Sequence, residues 1–231
     1  MRSPIILALD TKDLDTAKDW IEATNDSVDV YKFGLEFYLK FGAAGLRQLA
    51  DAGDFQVFLD LKLHDIPNTV ASSVRSVADL APKFLTVHAS GGGAMVKAAS
   101  EAAPEISITA VTILTSLSDS DLLEIGYEKD SKSSAIALAK LAASNGARSI
   151  VCSPFEAIEI RKVVGSDIEI ITPGVRPTGS ELGDQKRVMT PQEAITAGAN
   201  YIVVGRPITD LAKVSLDEMR NGASMILDSL I

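Results

Sequence analysis

Val57-Phe58-Leu59-Asp60-Leu61-Lys62-Leu63-His64-Asp65 begins as an apolar run and ends in charge. Near-continuous apolar runs mark strands covered on both faces, as in a parallel sheet. Alternation puts Asp60 and Lys62 on one face with Phe58 below them, and Leu59, Leu61 and Leu63 on the other face, against helices. Two opposite charges then stand side by side, pointing inward at the strand's C-terminal end.

Working outward, similar runs occupy 5–9, 28–33, 84–88, 106–114, 149–152, 168–172 and 201–204. Helical spacing fills the intervals, as in 69–80, 94–103, 135–145 and 154–164. Eight such strands, each followed by a helix, predict an α/β fold, a (β/α)8 TIM barrel. A doubly wound open sheet is the alternative. Gly146-Ala147 and Gly198-Ala199 stand just before strands, where a helix C-cap glycine belongs. No linker or low-complexity segment interrupts the series, so residues 1–231 read as one domain.

Composition narrows the function classes. The 231 residues are 46% hydrophobic and 23% charged, ordinary for a soluble globular chain. A formal net charge of −9 argues against a nucleic-acid partner, and any anionic substrate must be held by local positive groups. The apolar run 4–9 is too short for a membrane span or signal core and ends in Asp10. Cys152 is the one cysteine, so no internal disulfide forms, and a reducing, cytoplasmic setting is expected. No Cys/His spacing suggests zinc.

Catalytic groups of a barrel gather at the C-terminal ends of its strands. Those ends carry Asp10, Lys32, Asp60, Lys62, His88, Thr112, Thr115, Arg176 and Arg206. So many charges in a mouth are costly unless they pair or bind a ligand. Asp60 and Lys62 are open to two readings: a self-neutralising ion pair, or a lysine held protonated by carboxylates and ready to give up a proton. Val203-Val204-Gly205-Arg206-Pro207 ends the last strand, where phosphate sites of barrels lie, and an arginine there can grip two oxygens. A tight turn with a solvated arginine is the plainer reading. The segment 174–190, rich in Gly, Pro and charge, has the length of a functional lid. Gly91-Gly92-Gly93 reads as a flexible turn more readily than as an anion cradle. His88 reads as structural, His64 stays open, and Cys152 reads as a small buried hydrophobe.

Asp60-Leu-Lys-Leu-His-Asp-Ile-Pro-Asn-Thr69 resembles the signature of the orotidine 5′-monophosphate decarboxylases. The resemblance extends in order through Leu7–Asp10, Val30–Gly34, Thr86–Ala89, Leu114–Ser116, Thr172–Arg176 and Val204–Pro207, over essentially the whole chain and at the compact length of the bacterial branch. It implies a barrel of the ribulose-phosphate-binding superfamily that converts orotidine 5′-monophosphate to UMP and CO2 in pyrimidine synthesis, using neither metal nor cofactor. It further implies that Lys62 donates a proton to C6 and that Asp60 faces the substrate carboxylate. Asp10 and Lys32 would contact the ribose, Lys32 also steadying Asp60. Thr115, and either Ser116 or Ser118, would lie near the base. Pro173, Arg176, Gln185, Gly205 and Arg206 would close over the phosphate. Asp65, Ile66 and Thr69 would serve the site of a second subunit, making a homodimer obligatory. Rival readings are a Mg2+-dependent sugar-phosphate decarboxylase or synthase of the same superfamily, a metal-dependent epimerase, and a silent nucleotide-binding barrel. The first needs a metal-binding carboxylate at the end of strand two, where Lys32 stands; the second needs more histidines than the chain has.

Overall fold

Residues 3–177 and 189–230 are described by the computed structural model. The strands are β1 (Ile5–Ala8), β2 (Val30–Gly34), β3 (Gln56–Leu63), β4 (Phe84–His88), β5 (Ser107–Val111), β6 (Ser149–Val151), β7 (Glu169–Thr172) and β8 (Tyr201–Val204). All pair in parallel with their sequence neighbours, and β8 closes on β1 to form a barrel. The first half of the chain carries α1 (Leu14–Thr24), α2 (Leu35–Gln48), α3 (Pro67–Val77) and α4 (Gly93–Ala102). The second half carries α5 (Asp119–Glu124), α6 (Ser131–Ala143), α7 (Ala157–Val164), α8 (Pro191–Thr196), α9 (Arg206–Thr209) and α10 (Leu216–Asp228).

Helix starts follow from local chemistry. The side chains of Asp13, Asp130 and Ser215 accept backbone N–H groups at the starts of α1, α6 and α10. Ser118 with Asp121, and Thr190 with Glu193, form reciprocal capping boxes for α5 and α8. Pro67 opens α3 where no backbone donor is needed, so this helix starts two residues before the predicted Thr69. The fifth strand is shorter than the apolar run suggests: it stops at Val111, and the Thr112 hydroxyl and amide both turn to the Val151 carbonyl.

Two apolar layers hold the barrel. The larger lies between strands and helices and includes Leu7, Phe33, Leu59, Leu85, Ile150 and Ile202, with Leu61 and Leu63 packed against it. The smaller fills the barrel interior with Ile6, Val30, Phe58, Phe84 and Ile171. At the N-terminal end of the strands Lys83 Nζ donates to the Tyr201 hydroxyl at 2.6 Å and lies over the Phe84 and Tyr201 rings. Phe58 therefore supports the Asp60 side of β3, as alternation requires.

The side-chain alternation holds to the end of β3, but the regular pairing with β4 does not. Leu59 pairs with Leu85 and Leu63 with Val87, so Asp60, Leu61 and Lys62 lie opposite the single residue Thr86. The bulge puts Lys62 at φ 49°, in the left-handed region that a residue with a Cβ pays about 1–2 kcal/mol to enter. Glycine escapes that cost but loses about 0.4–1 kcal/mol through its freer unfolded chain. Lys62→Gly should therefore exceed Lys62→Ala in stability by roughly 0.5–1 kcal/mol, melting about 2 °C higher at this chain size. Thermal unfolding of the two variants, which both lack the ammonium, checks this; an equal or higher melting point for the alanine variant would show that the backbone relaxes without strain.

Candidate active site

The adjacent strands β2, β3 and β4 bring three kinds of group to one point. Lys62 Nζ donates to Asp60 Oδ2 at 2.7 Å. Lys32 Nζ lies 3.5 Å from the same oxygen and 3.6 Å from Asp10 Oδ1. The charges therefore alternate along Asp10, Lys32, Asp60 and Lys62. Their surroundings differ: the Asp60 and Lys32 side chains are each 13% exposed, Lys62 31% and Asp10 67%, so Asp10 forms the open rim.

Burial pushes the Asp60 carboxyl up, but the ammoniums of Lys32 and Lys62, with hydrogen bonds from Lys62 and Thr86, outweigh it and hold the group below the usual carboxylate range. Asp60 is therefore ionised throughout the neutral range. A depressed carboxyl contributes stability above its unfolded value and loses that contribution as pH falls through the folded one, so this pairing weakens only in acid. Burial, with the neighbouring His64 and Lys62, pushes His88 down and leaves its imidazole neutral at neutral pH. His64 is exposed, with its ring 5.5 Å from that of His88. Burial pushes the Cys152 thiol up, which removes it as a nucleophile.

Lys32, Asp60 and Lys62 line a cavity of about 190 Å³ together with Phe58, Val111, Ile113, Leu114, Thr115, Val151, Cys152, Pro173 and Val203. Three charges, two positive and one negative, meet an otherwise mostly apolar wall, a form suited to a small ligand with an apolar body and a polar group at one end. A second cavity of about 170 Å³ shares Ile113, Leu114, Thr115 and Pro173 and adds Ser116, Ser118, Ser153 and Glu156. Thr115 and Pro173 thus stand between the two spaces.

The other expected residues that the structure describes follow β3, β7 and β8. Arg176 is buried after β7, its amide donating to the Met189 carbonyl at 3.0 Å. Gly205 and Arg206 follow β8 directly and start α9, with Arg206 exposed. Asp65, Ile66 and Thr69 do not line the chain's own cavity: all are exposed, Ile66 to 65%, and Asp65 Oδ1 accepts the Ile66 amide at 2.6 Å. Gln185 falls outside the described residues. Gly92, at φ 89°, caps α4, and a Cβ on Gly91 would meet Met95 Sδ at 2.2 Å, so this glycine run is a packed turn.

Comparison with known proteins decides the lineage. Residues 3–215 match the model of the Orotidine 5'-phosphate decarboxylase / HUMPS family. The chain belongs to this family. It is 53% identical over 209 residues to an orotidine 5'-phosphate decarboxylase of Thermobifida fusca, covering 90% of each chain. A Wolbachia pipientis protein of the same name is 45% identical over 230 residues, covering 99% of each. The crystal structure of orotidine 5'-phosphate decarboxylase from Lactobacillus acidophilus superposes with a TM-score of 0.82 at 32% identity, over 98% of this chain and 99% of that one.

For this member of the orotidine 5'-phosphate decarboxylase / HUMPS family, two contributors to the site escape a reading of its charges. The apolar side chains of Val111, Ile113 and Leu114 line the cavity although they read as plain strand core. Thr86 is fully buried, and its hydroxyl contacts both Asp60 and Lys62. The alternation Phe84-x-Thr86-x-His88 signals an inward hydroxyl there.

Proposed function

We propose that Lys62 carries the chemistry of the reaction for which the relatives are named, the decarboxylation of orotidine 5′-monophosphate to UMP and CO2 in pyrimidine biosynthesis. This chain is a carboxy-lyase of that kind. The observation that supports the role of Lys62 is its ammonium, 2.7 Å from a partly buried Asp60 that Lys32 also holds, at the cavity wall. Cleavage of the bond from C6 to the carboxylate leaves its electron pair on C6, with no conjugated carbonyl to receive it. A fixed ammonium stabilises that pair as it develops and then donates its proton to C6, becoming a neutral amine. The carboxylate of Asp60 faces that of the substrate. Two like charges ~4 Å apart at an effective dielectric of about 20 repel by roughly 4 kcal/mol, relieved as neutral CO2 departs.

In this reading Asp10 and Lys32 hold the ribose hydroxyls, and Thr115 lies beside the base with Ser116 or Ser118. Arg206, Gly205, Arg176, Pro173 and Gln185 close over the phosphate; the position of the first four after β7 and β8 supports this. Asp65, Ile66 and Thr69 reach into the site of a second copy of the chain. Their exposure beside β3, and an apolar Ile66 left in solvent, support that dimeric arrangement. No metal or cofactor takes part. A Mg2+ at Asp60 would meet the Lys32 ammonium 3.5 Å from that carboxylate, and among the described residues no three His, Cys, Asp or Glu side chains gather to hold an ion.

Purified protein should discharge the absorbance of orotidine 5′-monophosphate at an undiminished rate in EDTA. Lys62→Ala should lower kcat on the order of 10³-fold or more while UMP binding stays measurable. No turnover, turnover abolished by chelator, or a mild loss in the variant would overturn the reading. For the dimer, Lys62→Ala and Asp65→Ala proteins should each be nearly inactive, and mixing them should restore activity through one intact site per heterodimer. Heterodimers that form yet stay inactive would remove Asp65 from its partner's site.

A further inference from the structure

We propose that Thr86 is a positioning residue for the reaction, setting the ammonium of Lys62 through one hydrogen bond that its hydroxyl accepts and one that it donates. The inference rests on the reading that Lys62 and Asp60 carry the chemistry.

Three observations converge on this residue. Thr86 is fully buried in the barrel. Its Oγ1 accepts the Lys62 backbone N–H at 2.8 Å and donates to Asp60 Oδ1 at 3.0 Å. It is also the one β4 residue facing the bulge formed by Asp60, Leu61 and Lys62. The direction of both bonds is unambiguous, because a backbone amide only donates and an ionised carboxylate only accepts. The hydroxyl therefore spans the bulge from one end to the other. It occupies the gap that the register jump opens in the ladder, and it gives the Lys62 amide a partner.

The consequence is mechanical. Asp60 Oδ2 is engaged by Lys62 Nζ and Lys32 Nζ, while Oδ1 accepts from the Thr86 hydroxyl. With a donor on each oxygen, the carboxylate plane is fixed, and the ammonium bonded to Oδ2 is fixed with it. The same hydroxyl anchors the backbone of Lys62 at a conformation of φ 49° that a lysine does not favour by itself. Thr86 thus holds Lys62 at both ends, the peptide directly and the ammonium through Asp60. It touches no reacting atom.

The test is a kinetic series on the full-length protein. Thr86→Val keeps the shape and deletes both bonds, whereas Thr86→Ser keeps the hydroxyl. Thr86→Val should lose about 10²-fold in kcat with KM for orotidine 5′-monophosphate changed by less than about threefold, because misplacing a reacting group by an ångström costs that much. Thr86→Ser should keep kcat within about threefold of the parent. If the valine variant does not fold, Thr86→Ala takes its place with the same expectation. A valine or alanine variant with the parent kcat, or a serine variant as impaired as valine, would overturn the proposal. Lys62→Ala in the same series separates the two readings. Its undiminished kcat would overturn the assignment of Lys62 and this inference with it, whereas an inactive Lys62→Ala beside a fully active Thr86→Val would overturn the role of Thr86 alone.

Discussion

A carboxylate that is 13% exposed stays ionised only if its lost hydration is replaced, and Asp60 is supplied from three neighbouring strands: Lys32 from β2, Lys62 from β3 and Thr86 from β4. Each contact depends on the register of those strands. The register depends in turn on the packed interior beneath, where the Phe58 and Phe84 rings meet at 5.5 Å on the strands that carry Asp60 and Thr86. The barrel core, the bulge in β3 and the charge network are therefore one construction. Loosening the core would shift the distances on which the ionised state of Asp60 rests.

The same network answers a problem set by overall charge. A chain of net charge −9 does not attract an anionic substrate by its average field, so the positive groups must be local and fixed. In the proposed reading Lys32 and Lys62 provide them at the reacting end, and Arg176 and Arg206 follow β7 and β8 at the other side of the mouth. Repulsion of roughly 4 kcal/mol at Asp60 is small beside the roughly 8–23 kcal/mol by which enzymes lower barriers. In the proposed mechanism the larger part comes from charge stabilisation at C6 and from binding energy of the remote phosphate spent at the reacting carbon.

Much of this was legible in the sequence, for identifiable reasons. Burial on both faces leaves a plain mark on parallel strands, so the barrel and the inward pairing of Asp60 with Lys62 could be read from apolar runs and alternation. The bulge could not: a period of two assumes a regular strand, and no residue type in Leu59–Leu63 announces that Lys62 takes a positive φ. The role of Thr86 was hidden for the same reason, since its two bonds exist only where β3 leaves the ladder. Boundaries shifted where one residue overrides periodicity, as Pro67 does at α3 and Thr112 at the end of β5. Asp65, Ile66 and Thr69 were named through family resemblance alone; within one chain they are merely exposed.

The most direct measurement leaves CO2 out. UMP incubated with the protein in D2O passes through the same C6 carbanion in reverse, because the group that delivers the proton must also remove it. Nuclear magnetic resonance should show the C6 hydrogen of UMP replaced by deuterium in the presence of the parent protein, with exchange lost in Lys62→Ala even at nucleotide concentrations that saturate it. Exchange as fast in Lys62→Ala as in the parent would contradict the assignment of the proton, and of the stabilising charge, to Lys62.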